Sequence, residues 1–207
     1  MRRILPRVLD TRFEAILAKE RSLAKAVAGT VIGVNPVTAW DVVMPVLFMV
    51  NFLRYRKARE VFTLNFLFTK KLALEAAYDM IKKEKGKEEA LATIEAKTDN
   101  LLMSDRKGIY SAKIRQRQMV EIELLLDHYC KLLEAEGKDY ATLVKNAYQT
   151  RDNCKAFLER LKRAEKEVNR AARQTLGAGT EMISQMEKAV ESERMAGVEK
   201  VFASVNR

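Results

Sequence analysis

A metal or nucleophilic site needs several ligand-type side chains brought together, and this chain has a single histidine, His128, in "LLLDHYCK". Asp127 is its neighbour in sequence, but on a helix it points about 100° away. A di-iron bundle would require two Glu-x-x-His pairs, and the sequence contains none. His128 therefore reads as a residue at the edge of a bundle. Glu121, Glu123 and Asp127 form an acidic cluster with no partner base in view, which reads as a solvated face.

The two cysteines, Cys130 and Cys154, flank the glycine at 137. If that glycine closes a tight hairpin, the two thiols are offset by about nine residues, or roughly 13 Å along the axis. That exceeds the reach of a disulfide or a shared metal ion, so both read as small core or boundary residues. Gly86-Lys87 ends like a phosphate-cradling loop, but Ile81 stands where the first glycine of that motif is needed. No catalytic residue, metal site or cofactor is expected, and the enzyme classes that depend on these motifs lose their support.

The elements that would position any site are helices. The chain has 207 residues, 48% hydrophobic and 32% charged, with eight glycines and three prolines. The prolines all lie at or before Pro45, so nothing beyond it forces a break. Thr11 and Glu14 have capping-box spacing, and Phe13, Ile16, Leu17, Leu23, Ala24 and Val27 make a helical apolar stripe that Gly29 should end. A helix-compatible pattern runs from Val46 to about Lys85. Within it Phe62, Leu64, Phe66 and Phe68 alternate as in a strand, but both flanks are helical and the segment is assigned to the helix. A shorter helix is predicted over 88–103, and a longer one from about Ser111 to Gly137.

The clearest pattern follows. Tyr140, Leu143, Ala147, Thr150, Cys154, Phe157, Leu161, Ala164, Val168, Ala171 and Thr175 step by threes and fours without a fault. This heptad seam predicts one helix about 55 Å long at about 1.5 Å per residue. Thr180 can cap a last helix lined by Met182, Met186, Val190, Val201 and Phe202. The expected fold is all-α, an elongated antiparallel helical bundle with a coiled-coil-like C-terminal half, in which the last three helices read as a three-helix bundle. An apolar and basic N-terminal helical region, 1–60, leads into a helical bundle, 61–207, and the two can form one continuous domain. The heptads could equally pair with a second chain, which leaves a homodimer open.

Charge and hydropathy single out "DVVMPVLFMVNFLRYRKAR", residues 41–59. It is uncharged from Val42 to Leu53 and then carries Arg54, Arg56, Lys57 and Arg59. In the wider window from Ala26 to Leu53 the one charge is Asp41, and Arg12, Lys19, Arg21 and Lys25 precede it. Residues 1–59 hold eleven Lys or Arg against four acids, an excess of seven out of the net +10. Such a localised excess suits an anionic membrane surface.

A span would need about 20 apolar residues, and Asn35, Pro36 and Asp41 break the middle of this window, so a re-entrant or interfacial foot fits better. Trp40, Met44, Phe48 and Phe52 would then be the apolar contacts and Arg54, Arg56, Lys57 and Arg59 the basic ones. Two other readings are a buried core helix and a docking surface for another helical protein. Arg163, Lys166, Arg170 and Arg173 form a further basic stripe, but interleaved glutamates favour a solvated face over nucleic-acid binding.

The first residues contain no uninterrupted apolar run before Asp10, which argues against a secretory signal. Asp10, Glu14 and Glu20 argue against a transit peptide, so a cytoplasmic protein, membrane-associated or not, is expected. The functional expectation is a non-enzymatic helical scaffold or adaptor, attached peripherally to the cytoplasmic face of a membrane. The alternatives are a soluble helical interaction protein with residues 41–59 in its core, and a non-specific nucleic-acid-binding bundle.

Overall fold

Pro6, whose fixed φ suits a first helical position and whose missing N–H costs nothing there, opens the first helix of a computed structural model that describes residues 4–32, 58–104, 110–176 and 180–203. Among these residues there are seven helices and no strands: α1 Pro6–Ile32, α2 Ala58–Lys83, α3 Lys87–Ser104, α4 Ala112–Glu134, α5 Tyr140–Tyr148, α6 Arg151–Leu176 and α7 Thr180–Ala203. The fold is all-α, as the apolar periodicities predicted.

Both ends of α1 differ from the sequence reading. Thr11 is not a cap. It lies inside the helix, and its hydroxyl donates back to the Arg7 carbonyl at 2.9 Å. Gly29 does not stop the helix either, because Val31 beyond it is fully buried and outweighs the roughly 1 kcal/mol that a helical glycine costs. The ambiguous 61–69 segment is helical, and burial shows why. Phe62 is buried and stacks on Phe66 one turn on, with ring centroids 5.9 Å apart, while Leu64 between them is 48% exposed.

The seam from Tyr140 to Thr175 lies on two helices, not on one. Gln149 takes a φ of 63° between α5 and α6. Two polar side chains take over the hydrogen bonds that the break would orphan. The Asn153 N–H donates to the Thr150 hydroxyl at 3.2 Å, and the Asn153 amide donates to the Tyr148 carbonyl at 3.0 Å. The apolar members still face inward, with Leu143, Cys154, Leu161, Ala164, Val168 and Ala171 buried, but Thr150 at the break is exposed.

The last three helices do not make a bundle of their own. Helix α1 packs on α2 and α7, α2 on α4, α4 on α6, and α6 on α7, so five helices follow one another around a ring. Helix α3 lies against α2 and α4, while α5 bridges α1, α4, α6 and α7. Leu9, Ile16 and Leu17 of α1 share the main core with Leu74, Leu125, Leu126, Leu132 and Leu161. A second core joins the end of α1 (Leu23, Val27, Val31) to the start of α2 (Phe62) and to α7 (Ile183, Val190). A third joins Tyr110 and Ile114 to the end of α6.

Candidate functional site

Charged side chains interrupt the inward faces of four of these helices and meet. On α2, Phe66, Lys70 and Leu74 recur every turn, so the face that half-buries Phe66 and buries Leu74 also buries the lysine. On α7, Val190, Arg194 and Val198 repeat the pattern. On α4, Gln118 and Glu121 share the face of Ile114, Ile122 and Leu125. Helix α6 brings Glu165 beside Leu161 and Val168.

Arg194 grips Glu165 with both forks of its guanidinium. Nη1 donates to Oε2 at 2.6 Å and Nη2 to Oε1 at 2.8 Å. Lys70 lies between the two carboxyl groups, with Nζ 3.5 Å from Glu165 and 3.9 Å from Glu121, and 4.1 Å from the centroid of the Phe66 ring. The Thr69 hydroxyl donates to Glu121 at 2.9 Å. Lys70 is 4% and Glu121 5% exposed.

The environments split the two acids. Burial pushes the Glu121 carboxyl above its ordinary range, opposed by the Lys70 ammonium and reinforced by the charge of Glu165. Burial works against ionised Glu165 too, but Arg194 and then Lys70 outweigh it and hold that carboxyl low. Arg194 is held above its ordinary value because Glu165 outweighs its own burial. Behind it on α1, Glu20 is buried and adds a further negative charge facing the guanidinium.

Beside this cluster is a cavity of about 380 Å³. Among the described residues α2 does not pack closely on α6 or α7, and the cavity occupies the space between them. Phe62, Phe66, Leu158, Val168, Met186 and Val190 supply apolar walls, while Gln118, Glu121, Lys70 and Arg194 reach it from the buried side.

Of the residues singled out from the sequence as membrane or partner contacts, Trp40, Met44, Phe48, Phe52, Arg54, Arg56 and Lys57 lie outside the described residues. Arg59 is in the first turn of α2 and exposed. In the preceding basic group, Lys19, Arg21 and Lys25 are exposed, but Arg12 is buried and donates to the Leu133 carbonyl at 2.8 Å. It is a structural tie between α1 and the end of α4, not part of a basic surface.

Two further sequence readings change. Glu121 is not part of a solvated acidic face. Glu123 and Asp127 are, and Lys87 pairs with both, at 2.9 and 2.8 Å. His128 is not at an edge but buried, stacked on Phe157 at 4.3 Å with its Nδ1 2.7 Å from the Tyr148 hydroxyl. Burial, aided by the charges of Arg194 and Lys131, lowers its pKa to about 3. The ring is therefore neutral at physiological pH and serves packing.

Cys130 and Cys154 are free thiols, pushed up to about 11 by burial. Two members of the basic stripe are held in pairs, Arg170 with Glu167 at 2.7 Å and Arg173 with Glu187 at 3.2 Å. Among the described residues no group of three or more His, Cys, Asp or Glu could hold a metal ion, and no helix is long and apolar enough to cross a membrane.

The chain matches no family model, no curated protein and no solved structure.

Proposed function

We propose that this protein is a non-enzymatic helical scaffold or adaptor, held peripherally at the anionic, cytoplasmic face of a membrane by the segment between α1 and α2. One observation carries the reading. Val27 and Val31 near the end of α1 share a core with Phe62 at the start of α2, so the end of α1 and the start of α2 lie together at one end of the bundle. The exposed basic residues Lys19, Arg21 and Lys25 on one helix and Arg59 on the other flank a stretch whose one charge between Ala26 and Leu53 is Asp41. Basic residues on either side of an apolar stretch suit an interfacial foot on anionic lipid.

The bundle's own chemistry supports a structural role. Its most buried ions neutralise one another, its histidine is locked in an aromatic stack, and burial suppresses the thiolates. Each of these arrangements stabilises the ground state of the groups it holds.

The test is flotation of the full chain with neutral and anionic liposomes at low and high salt. Binding to anionic liposomes that weakens in salt without vanishing is the expected result. Replacing Arg54, Arg56, Lys57 and Arg59 with Gln removes up to about 1 kcal/mol each, and so up to almost three decades of affinity in all. Absence of flotation under every condition overturns the membrane part and leaves an adaptor that docks on another helical protein.

A further inference from the structure

From the cavity between α2, α6 and α7 we infer a function beyond scaffolding: it is a binding site for a small, neutral, single-chain amphiphile whose head is a hydroxyl group. The size comes first. At roughly 30 Å³ for each water-sized group, 380 Å³ holds about a dozen non-hydrogen atoms. That lies within the usual range of small-molecule sites, about 300–1,000 Å³. The walls fit an aliphatic body, because Phe62, Phe66, Val168, Met186 and Val190 line them and the two aromatic rings give broad apolar faces.

The head group follows from two side chains on the adjacent helices α4 and α2. Gln118 lines the cavity from α4, is 4% exposed, and its Oε1 accepts no hydrogen bond. A buried acceptor without a donor is destabilising, and the described neighbours do not relieve it. Lys70, which also lines the cavity, has its carboxylate partners at 3.5 and 3.9 Å, beyond the 2.7–3.2 Å of a good N–H···O bond. Its ammonium therefore has donor capacity to spare. A hydroxyl answers both needs, since its O–H donates to Gln118 and its oxygen accepts from Lys70.

Charge decides against an ionic head. At the cavity's buried end Lys70 and Arg194 face Glu121 and Glu165, and the wall as a whole carries five basic side chains (Lys70, Lys162, Lys166, Lys188, Arg194) against five glutamates (Glu121, Glu159, Glu165, Glu187, Glu191). A carboxylate would add a third acid beside Glu121 and Glu165. An amine would add a third cation to Lys70 and Arg194. Either would unbalance a wall that is even in charge, and it would do so at the end where Lys70 is 4% and Glu121 5% exposed.

The experiment uses the full-length protein with carbon-13 in its methionine methyl groups. Met186 and Met195 line the cavity, and exposed Met103 does not, so it serves as an internal control. The probes are 1-decanol, its isomer 1-methoxynonane, which accepts but cannot donate, and the ionic analogues decanoate and decylamine, each kept below its aggregation limit. Saturable shifts of Met186 and Met195 by decanol, with Met103 unmoved, are expected. Decanol should bind roughly five-fold more tightly than the ether, the worth of about one hydrogen bond, and Gln118→Met should abolish that preference.

No saturable shift up to the solubility limit overturns the inference. Equal affinity for alcohol and ether in the native protein does so too, as does tighter binding of decanoate or decylamine. Parallel movement of Met103 would mark unspecific partition and likewise sink it. Should Gln118→Met fail to fold, the alcohol–ether comparison in the native protein still decides.

Discussion

Replacing Arg194 with Met tests whether the charged cluster is a balanced structural unit. The side chain is 12% and its partner Glu165 19% exposed, and two charge-assisted hydrogen bonds of 2.6 and 2.8 Å join them. Removing one partner of a buried ion pair costs roughly 3–5 kcal/mol. Two hydrogen bonds to a charged group, at about 1.5–3 kcal/mol each, give a similar figure. Lys70 remains 3.5 Å from Glu165 and reduces the loss, while Glu20 loses the cation it faced and adds to it. The expected loss is about 3–4 kcal/mol at neutral pH, a large part of the roughly 5–15 kcal/mol that holds a typical domain together.

Urea unfolding followed by circular dichroism measures it, with the midpoint moving and the slope unchanged. The pH dependence has a definite sign. Glu165 has a lowered folded pKa, so its contribution is present above the ordinary carboxylate range and is lost as pH falls through the lowered value. Without Arg194 that folded pKa rises, and protonation relieves the stranded charge. The gap between variant and native protein should therefore narrow from neutral pH towards about pH 4.

The double variant Arg194→Met, Glu165→Leu should recover most of the loss, because no unpaired ion remains. Glu121→Gln should change stability by less than about 1 kcal/mol, since burial already disfavours its charge and an amide oxygen can still accept from Thr69. A loss below about 1 kcal/mol for Arg194→Met, or a gap that does not depend on pH, would refute the account of the cluster.

Two further outcomes can be checked by the same unfolding measurements. The folded pKa of His128, about 3, lies below its unfolded value, so its contribution is full above about pH 6.5 and is lost as pH falls from there towards 3. His128→Phe should flatten this acid limb while costing about 1–3 kcal/mol at neutral pH through the orphaned Tyr148 hydroxyl; parallel limbs would show that the ring is not held neutral. Gly137 has a φ of +153°, and an added Cβ would meet Thr142 Cγ2 at 3.1 Å and Leu143 N at 3.2 Å. Gly137→Ala should cost about 1–3 kcal/mol, and an unchanged midpoint would mean that the α4–α5 turn relaxes around it.

The helices were legible because apolar spacing is a local property. Helix α4 begins where the sequence placed its start, and Ser111 caps it, its hydroxyl accepting from the Ile114 N–H. The aromatic alternation around Phe66 resolves once Leu64 is seen to face outward. The break at Gln149 was masked because a heptad seam records which side chains face inward, not whether the backbone between them is continuous. Its cue was Thr150 three residues ahead of Asn153, a helix start inside the seam.

The charged cluster was harder to see, and for a different reason. Glu121 was grouped with Glu123 because they are close in sequence, but two residues along a helix turn the side chain about 200°. Its true companions are Gln118, Ile122 and Leu125 on the buried face. Lys70 between Phe66 and Leu74, and Arg194 between Val190 and Val198, each interrupt an apolar stripe where a methylene-rich stem could have carried the charge out to solvent. One such interruption has that ordinary explanation. Four of them, on four helices that pack consecutively around the ring, have no such escape, because each head is surrounded by the other helices. Their meaning depends on which helices are neighbours, and apolar periodicity carries no information about that. The order of helices around the ring turns four isolated exceptions into one site.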